Sequence, residues 1–137
     1  MTEDLLFTKV ETIRRCIARI RERLPDSAEK LSKDIDAQDI IAINLERAIQ
    51  ACVDIASHKI ADLEIPPAQT MGESFICLAK QNIISDNLAE RLRKSVGFRN
   101  ISVHDYQAIS WDIVFNICAR ELTVFEEFIA VLVRSEK

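Results

Sequence analysis

The sequence predicts an all-α protein, and three observations predict it. Only two glycines and three prolines occur in 137 residues, too few for the tight turns that a sheet requires. Apolar residues recur at steps of three and four over long stretches, the period of a helix with one buried face. Hydrophobic residues make up 48% and charged residues 29%, a balance that folds rather than stays disordered. A chain of this length reads as one domain over 1–137. It buries about two thirds of its unfolded surface and needs no staple to hold a core.

The first helix is predicted over 3–24, where Leu6, Val10, Ile13, Ile17, Ile20 and Leu24 form one stripe. Thr2 caps it, and Glu3 and Asp4 suit the positive end of its dipole. Arg14, Arg15, Arg19, Arg21 and Arg23 fall largely off the stripe, on a face open to solvent or to a partner. Pro25 and Asp26 break the chain, and a polar stretch is expected to run to about Asp36.

A second helix is predicted over 37–63, ended by Pro66 and Pro67. Ile40, Ile41, Ile43, Leu45, Ala48, Ile49, Cys52, Val53, Ile55 and Ala56 make it apolar on more than one side, so several neighbours should bury it. Its leftover polar residues Asn44, Arg47, Asp54 and His58 follow at steps of three, seven and four and share one stripe. Such a stripe is either an internal hydrogen-bond network or the wall of a site.

A short third helix is predicted over 71–82. Ser85 caps a fourth over 86–96, with Gly97 as its expected stop. Ser110 caps a last long helix over 111–133, whose inward stripe is Trp111, Val114, Cys118, Leu122, Phe125, Ile129 and Leu132. Trp111 reads as a packing anchor.

Eighteen basic against 22 acidic residues give a net charge of −4, which excludes coating nucleic acid by bulk charge but leaves room for a local basic site. Cys16, Cys52, Cys77 and Cys118 are far apart and form no CxxC pair, so a zinc site is not expected. Cys16, Cys52 and Cys118 fall among apolar residues and read as small core residues of a reducing cytoplasm. The acidic start is not that of a secretion signal, and no apolar run approaches the ~20 residues of a membrane span. Glycine-rich phosphate loops, HExxH and a nucleophile elbow are absent, which removes kinases, zinc proteases and serine hydrolases.

The chemistry concentrates in Arg99, Asn100, Ile101, Ser102, Val103, His104, Asp105 and Tyr106, expected between two helices. A permanent cation, an imidazole and a phenol lie within eight residues. Each has a bland explanation: a surface ion pair, a satisfied histidine, a half-buried ring. Together they suit RNA cleavage without a metal. That reaction needs a base for the 2′-hydroxyl, an acid for the leaving oxygen and a fixed cation for the phosphorane. Histidine can serve as base or acid and arginine can grip two phosphate oxygens. One histidine per chain is thin, and a two-fold dimer can bring two copies of the segment to one cleft.

The run RNISVHDY has the form R-x4-H-x-Y, and the stretches NLERAIQACVDIASH, GESFICLAKQNIIS and LAERLRKSVGFRNISVHDY extend the pattern over most of the chain. In these residues the sequence resembles the HEPN superfamily and, within it, the HepT-like branch of toxin–antitoxin systems. The resemblance implies an up-and-down bundle of four main helices plus a short extra one, usually dimeric. It implies a metal-independent endoribonuclease toxin without a cofactor, whose Arg99, His104 and Tyr106 serve at a cleft between two chains. It also implies an MntA-like nucleotidyltransferase antitoxin that transfers AMP to Tyr106. Asn44, Arg47, Asp54, His58, Asn100 and Asp105 are carried over only as residues lining or supporting that cleft. The alternative is a non-catalytic HEPN binding module, a partner subunit of a nucleotidyltransferase, which suits the acidic net charge slightly better than RNA binding does.

Overall fold

The computed structural model describes residues 1–136, so Lys137, the last residue of the expected domain, lies outside the described residues. Four long segments alternate in direction. They are α1 (Glu3–Arg23), α3 (Ile35–Asp62), α5 (Asp86–His104) and a divided fourth made of α6 (Trp111–Arg120) and α7 (Thr123–Ser135). Two shorter helices, α2 (Ala28–Lys33) and α4 (Met71–Lys80), fill the connections, and a 3₁₀ turn at Tyr106–Ala108 follows α5. This is the expected bundle of four main helices with a short extra one, α4.

Six of these helices begin on Thr2, Ser27, Asp34, Thr70, Ser85 or Ser110, whose side-chain oxygen accepts an N–H in the first turn. Each cap contributes about 1 kcal/mol by satisfying a donor that the helix leaves over. Pairs between helices show how they run. The Met1 ammonium meets Asp62 and Lys9 meets Asp54, which makes α1 and α3 antiparallel. Arg14 meets Glu126 and Arg91 meets Glu127, which ties α7 to α1 and α5.

α3 is the central element, packed against α1, α2, α4, α5 and α7. Ile41, Leu45, Ile49, Cys52 and Ile55 are sealed on it, as its apolar pattern predicts. Phe75 of α4 and Phe128 of α7 meet edge to face at 5.6 Å within the same core. Cys16, Cys52 and Cys118 are buried free thiols, as expected. Lys59, which the sequence reading passed over, is buried too, its ammonium bonded to Glu136 at 2.7 Å and to the Ser135 carbonyl at 3.4 Å. Among the described residues, no helix is long and apolar enough to cross a membrane.

Three expectations change. The polar stretch after Pro25 contains α2, which is only six residues long and anchors a single sealed side chain, Leu31. Six residues are too few to display a helical period. Gly97 does not stop its helix: α5 runs on to His104. A glycine ends a helix by taking a left-handed conformation, and neither glycine here has positive φ. Phe98 and Ser102 instead bury their side chains beyond Gly97 and carry the helix forward. The last helix, expected to be continuous, breaks at Glu121 and Leu122. No Pro or Gly marks that break. α6 leans on α2 while α7 belongs to the main bundle, so tertiary packing sets it.

Two stability changes follow. An added Cβ at Gly97 meets nothing within 4 Å, so Gly97→Ala is expected to stabilise the fold by about 0.5–1 kcal/mol, the helix-propensity gain. An unchanged or lower urea midpoint would contradict a helical Gly97. Ile49→Ala should cost about 2–5 kcal/mol by opening a cavity in α3's sealed face, and the same urea titration reads it.

Candidate functional site

The last turns of α5 carry the motif, so Arg99 to His104 is helical and not the loop the sequence suggested. Two residues five apart on a helix lie about 140° apart around its axis and about 7.5 Å along it. One chain therefore presents Arg99 and His104 in different directions. Arg99 is half-buried against the bundle, while His104 is exposed at the final position of α5. Asp105 ends the helix, its N–H donating to the Ile101 carbonyl at 2.8 Å, and its side chain is exposed.

Arg99 is electrostatically unusual. Its Nη1 donates to Asn100 Oδ1 at 3.3 Å, but its Nε is buried and has no partner. It belongs to none of the ion pairs among the described residues. A half-buried permanent cation without a carboxylate has lost water and gained little in return. It is ready to accept an anion, and its planar fork suits phosphate oxygens.

α3 backs this segment along a seam of polar contacts. Ser102 Oγ donates to Glu46 Oε2 at 3.2 Å, and Tyr106 Oη donates to Asp39 Oδ1 at 2.6 Å. Ser102 near the end of α5 and Tyr106 just past it thus meet successively earlier residues of α3, and the two helices run antiparallel. Gln50 lies one turn beyond Glu46 along α3, and Arg99 nearly one turn before Ser102 along α5. The seam therefore brings them to a common level, and both leave a buried polar atom without a partner, Gln50 Oε1 and Arg99 Nε. Tyr106 also stands edge-on to Trp111, ring centroids 6.0 Å apart. Burial first, then the hydrogen bond from the phenol to Asp39, holds its pKa well above the ordinary tyrosine range. Trp111 is partly buried against the core, consistent with a packing anchor.

The polar stripe singled out on α3 sits elsewhere. Asn44 Nδ2 donates to the Ile40 carbonyl of its own helix at 2.8 Å. Asp54 accepts from Lys9 of α1 at 2.8 Å and from Gln50 at 3.0 Å. Arg47 is exposed, close enough to α1 that its charge, with that of Arg15, opposes the upward push of burial on the Cys16 thiol. His58 and Asn100 are exposed. Asp39 and Glu46 are the α3 residues that bond to the motif, with Gln50 on the same helix face, and the sequence reading missed them. Their signal was present: steps of seven and four place them on one face of a helix that is otherwise mostly buried. Among the described residues, no three His, Cys, Asp or Glu side chains are grouped as metal ligands would be.

Comparison with known proteins agrees with this architecture. A family model described as ribonuclease HepT-like matches residues 13–132. A curated relative from Shewanella oneidensis, named an mRNA nuclease HepT, is 40% identical over 129 residues, 94% of this chain and 96% of that protein. Another from Aphanizomenon flos-aquae, named a tRNA nuclease HepT, is 30% identical over 111 residues, 81% of this chain and 76% of that protein. Among solved structures, the tri-AMPylated Shewanella oneidensis HEPN toxin in complex with its MNT antitoxin superposes with a TM-score of 0.90 at 38% identity, covering 98% of this chain and 99% of that one. With the family model over most of its length and a 40% identical relative along nearly all of it, the chain belongs to the HepT-like ribonuclease family.

Proposed function

We propose that this ribonuclease acts as the toxin of a toxin–antitoxin pair and cleaves RNA at a metal-independent site shared by two copies of the chain. The observation that carries the reading is the half-buried Arg99 guanidinium, unpaired with any carboxylate among the described residues. The motif spacing supports the sharing. A single helix holds Arg99 and His104 about 140° apart, whereas a two-fold pairing lets Arg99 of one copy face His104 of the other across one cleft. Exposed apolar side chains beside the motif, Ile43 of α3 at 39% and Ile101 and Val103 of α5 at 43% each, give a second copy something to bury.

In this reading Arg99 holds the scissile phosphate and neutralises the charge that builds in the transition state. His104 exchanges protons with the 2′-hydroxyl or the leaving oxygen. Tyr106 assists and is where a nucleotidyltransferase antitoxin places AMP. Each AMP adds bulk and negative charge at a cleft that must admit an RNA phosphate, which is enough to close it to substrate. Asn100 and Asp105 border the pair. Arg47 and His58 form an exposed polar edge of α3, while Asn44 and Asp54 serve the packing of α3 on itself and on α1.

His104→Ala should reduce RNA cleavage by about 10²–10⁴-fold, the usual contribution of a proton-transfer group, with helicity by circular dichroism unchanged and EDTA without effect on the wild type. Cleavage at the wild-type rate would remove His104 from the chemistry. Mixing inactive Arg99→Ala and His104→Ala chains should restore part of the activity, because one cleft of the mixed dimer then holds both intact groups. A mixture as inactive as its components would argue for sites confined to single chains.

A further inference from the structure

Tyr106 is held by a residue that RNA cleavage leaves without a task. Asp39, 67 positions earlier on α3, accepts the Tyr106 hydroxyl at 2.6 Å. Among the described residues it is the hydroxyl's only hydrogen-bond partner, and Asp39 itself enters no ion pair. A carboxylate with no other occupation is therefore aimed at the one oxygen on which modification would take place.

Nucleotidyl transfer to a tyrosine removes one proton and exchanges one bond. The phenolic oxygen attacks the α-phosphorus of a nucleoside triphosphate and forms an O–P bond. The bond from that phosphorus to the departing oxygen breaks, and pyrophosphate leaves. The phenol proton must go to a base. A neutral phenol is a weak nucleophile, so the transfer is fastest when a base within about 2.6–3.2 Å takes the proton as the new bond forms. Burial and the Asp39 contact keep this phenol protonated, which makes such help more necessary.

We propose that Asp39 is the proton acceptor for modification of Tyr106, so that the toxin supplies the base and the antitoxin supplies the nucleoside triphosphate. This rests on the reading of Tyr106 as the acceptor of AMP. A second consequence comes from the product. The ester oxygen has no hydrogen to donate, and the phosphodiester brings a negative charge beside the carboxylate. The bond that seated the ring is lost and like charges oppose each other across the α3 seam. Modification therefore expels Tyr106 from its place as well as lengthening it. Trp111 is the only tryptophan of the chain, and its ring lies 6.0 Å from that of Tyr106, so its fluorescence reports the departure.

The test incubates wild-type, Asp39→Asn, Asp39→Glu and Tyr106→Phe toxins with the nucleotidyltransferase antitoxin and labelled ATP. Asp39→Asn should slow single-turnover transfer by about 10²-fold or more, the size of a lost general base, while KM for ATP and the Kd for the antitoxin stay within about threefold of wild type. Asp39→Glu should recover part of the rate. Labelling of Asp39→Asn at the wild-type rate overturns the proposal. Asparagine keeps an acceptor of the same shape, and an unchanged Trp111 emission in the unmodified variant shows the ring still seated. Should the emission differ, the glutamate variant decides: a recovered rate with the ring displaced supports a base, and no recovery overturns it. Tyr106→Phe separates the two readings. If it still takes up label at the wild-type rate, Tyr106 is not the acceptor, whatever Asp39 does. In the wild type, modification should shift Trp111 emission, and an unchanged spectrum after full labelling would rule out the expulsion.

Discussion

The seam between α3 and α5 is the constraint on which the rest of the molecule depends. α3 is locked in place by its sealed residues Ile41, Leu45, Ile49 and Ile55, and it cannot shift without opening cavities in a close-packed interior. Against that fixed rail α5 is set by the packing of Leu88, Leu92, Val96 and Phe98, with two polar contacts beside it, Glu46 with Ser102 and Asp39 with Tyr106 just past its end. Polar contacts of this kind add little net stability in themselves, and only the Glu46–Ser102 contact is partly buried. The apolar packing fixes the rotation and height of α5, and the two polar contacts agree with that register.

Continuation of α5 through Gly97 changes the chemistry that the motif can perform. In a loop, Arg99 and His104 could bend toward one another. On a rigid helix they cannot, and each faces its own way. The chain thus presents these two side chains on different sides of one helix. Rigidity also has a use. Groups held on helices keep their positions within the narrow tolerances that transition-state stabilisation demands, better than groups on loops do.

Charge follows the same economy. The molecule is acidic overall at −4, and some of its exposed cations are answered by nearby carboxylates, as in Arg19 with Glu22 and Lys30 with Asp26. Such exposed pairs contribute little to stability and are weakened by salt. Arg99 stands apart as a cation partly withdrawn from water with an unsatisfied Nε. An acidic net charge limits indiscriminate attraction to nucleic acid, and a cation held partly out of water is a local exception to it. Asp39 shows the converse arrangement, a carboxylate kept for a single hydroxyl.

The sequence by itself determined the helical class, the central burial of α3, the core thiols and the identity of the motif. These are matters of period and composition, legible wherever a stripe such as Val10, Ile13, Ile17 and Ile20 repeats over several turns. It also carried the family pattern RNISVHDY. Tertiary structure alone decided what local signals could not. Gly97 lies within a helix because Phe98 and Ser102 are buried beyond it, and the last helix divides at Glu121 because α6 and α7 pack on different neighbours. The partners of the motif were likewise hidden: Asp39 and Glu46 are 67 and 56 positions from the residues they touch. Propensity and capping act over three or four residues. Which face of a helix meets which other helix is settled by close packing across the whole chain, and there the surroundings of Arg99 and Tyr106 were set.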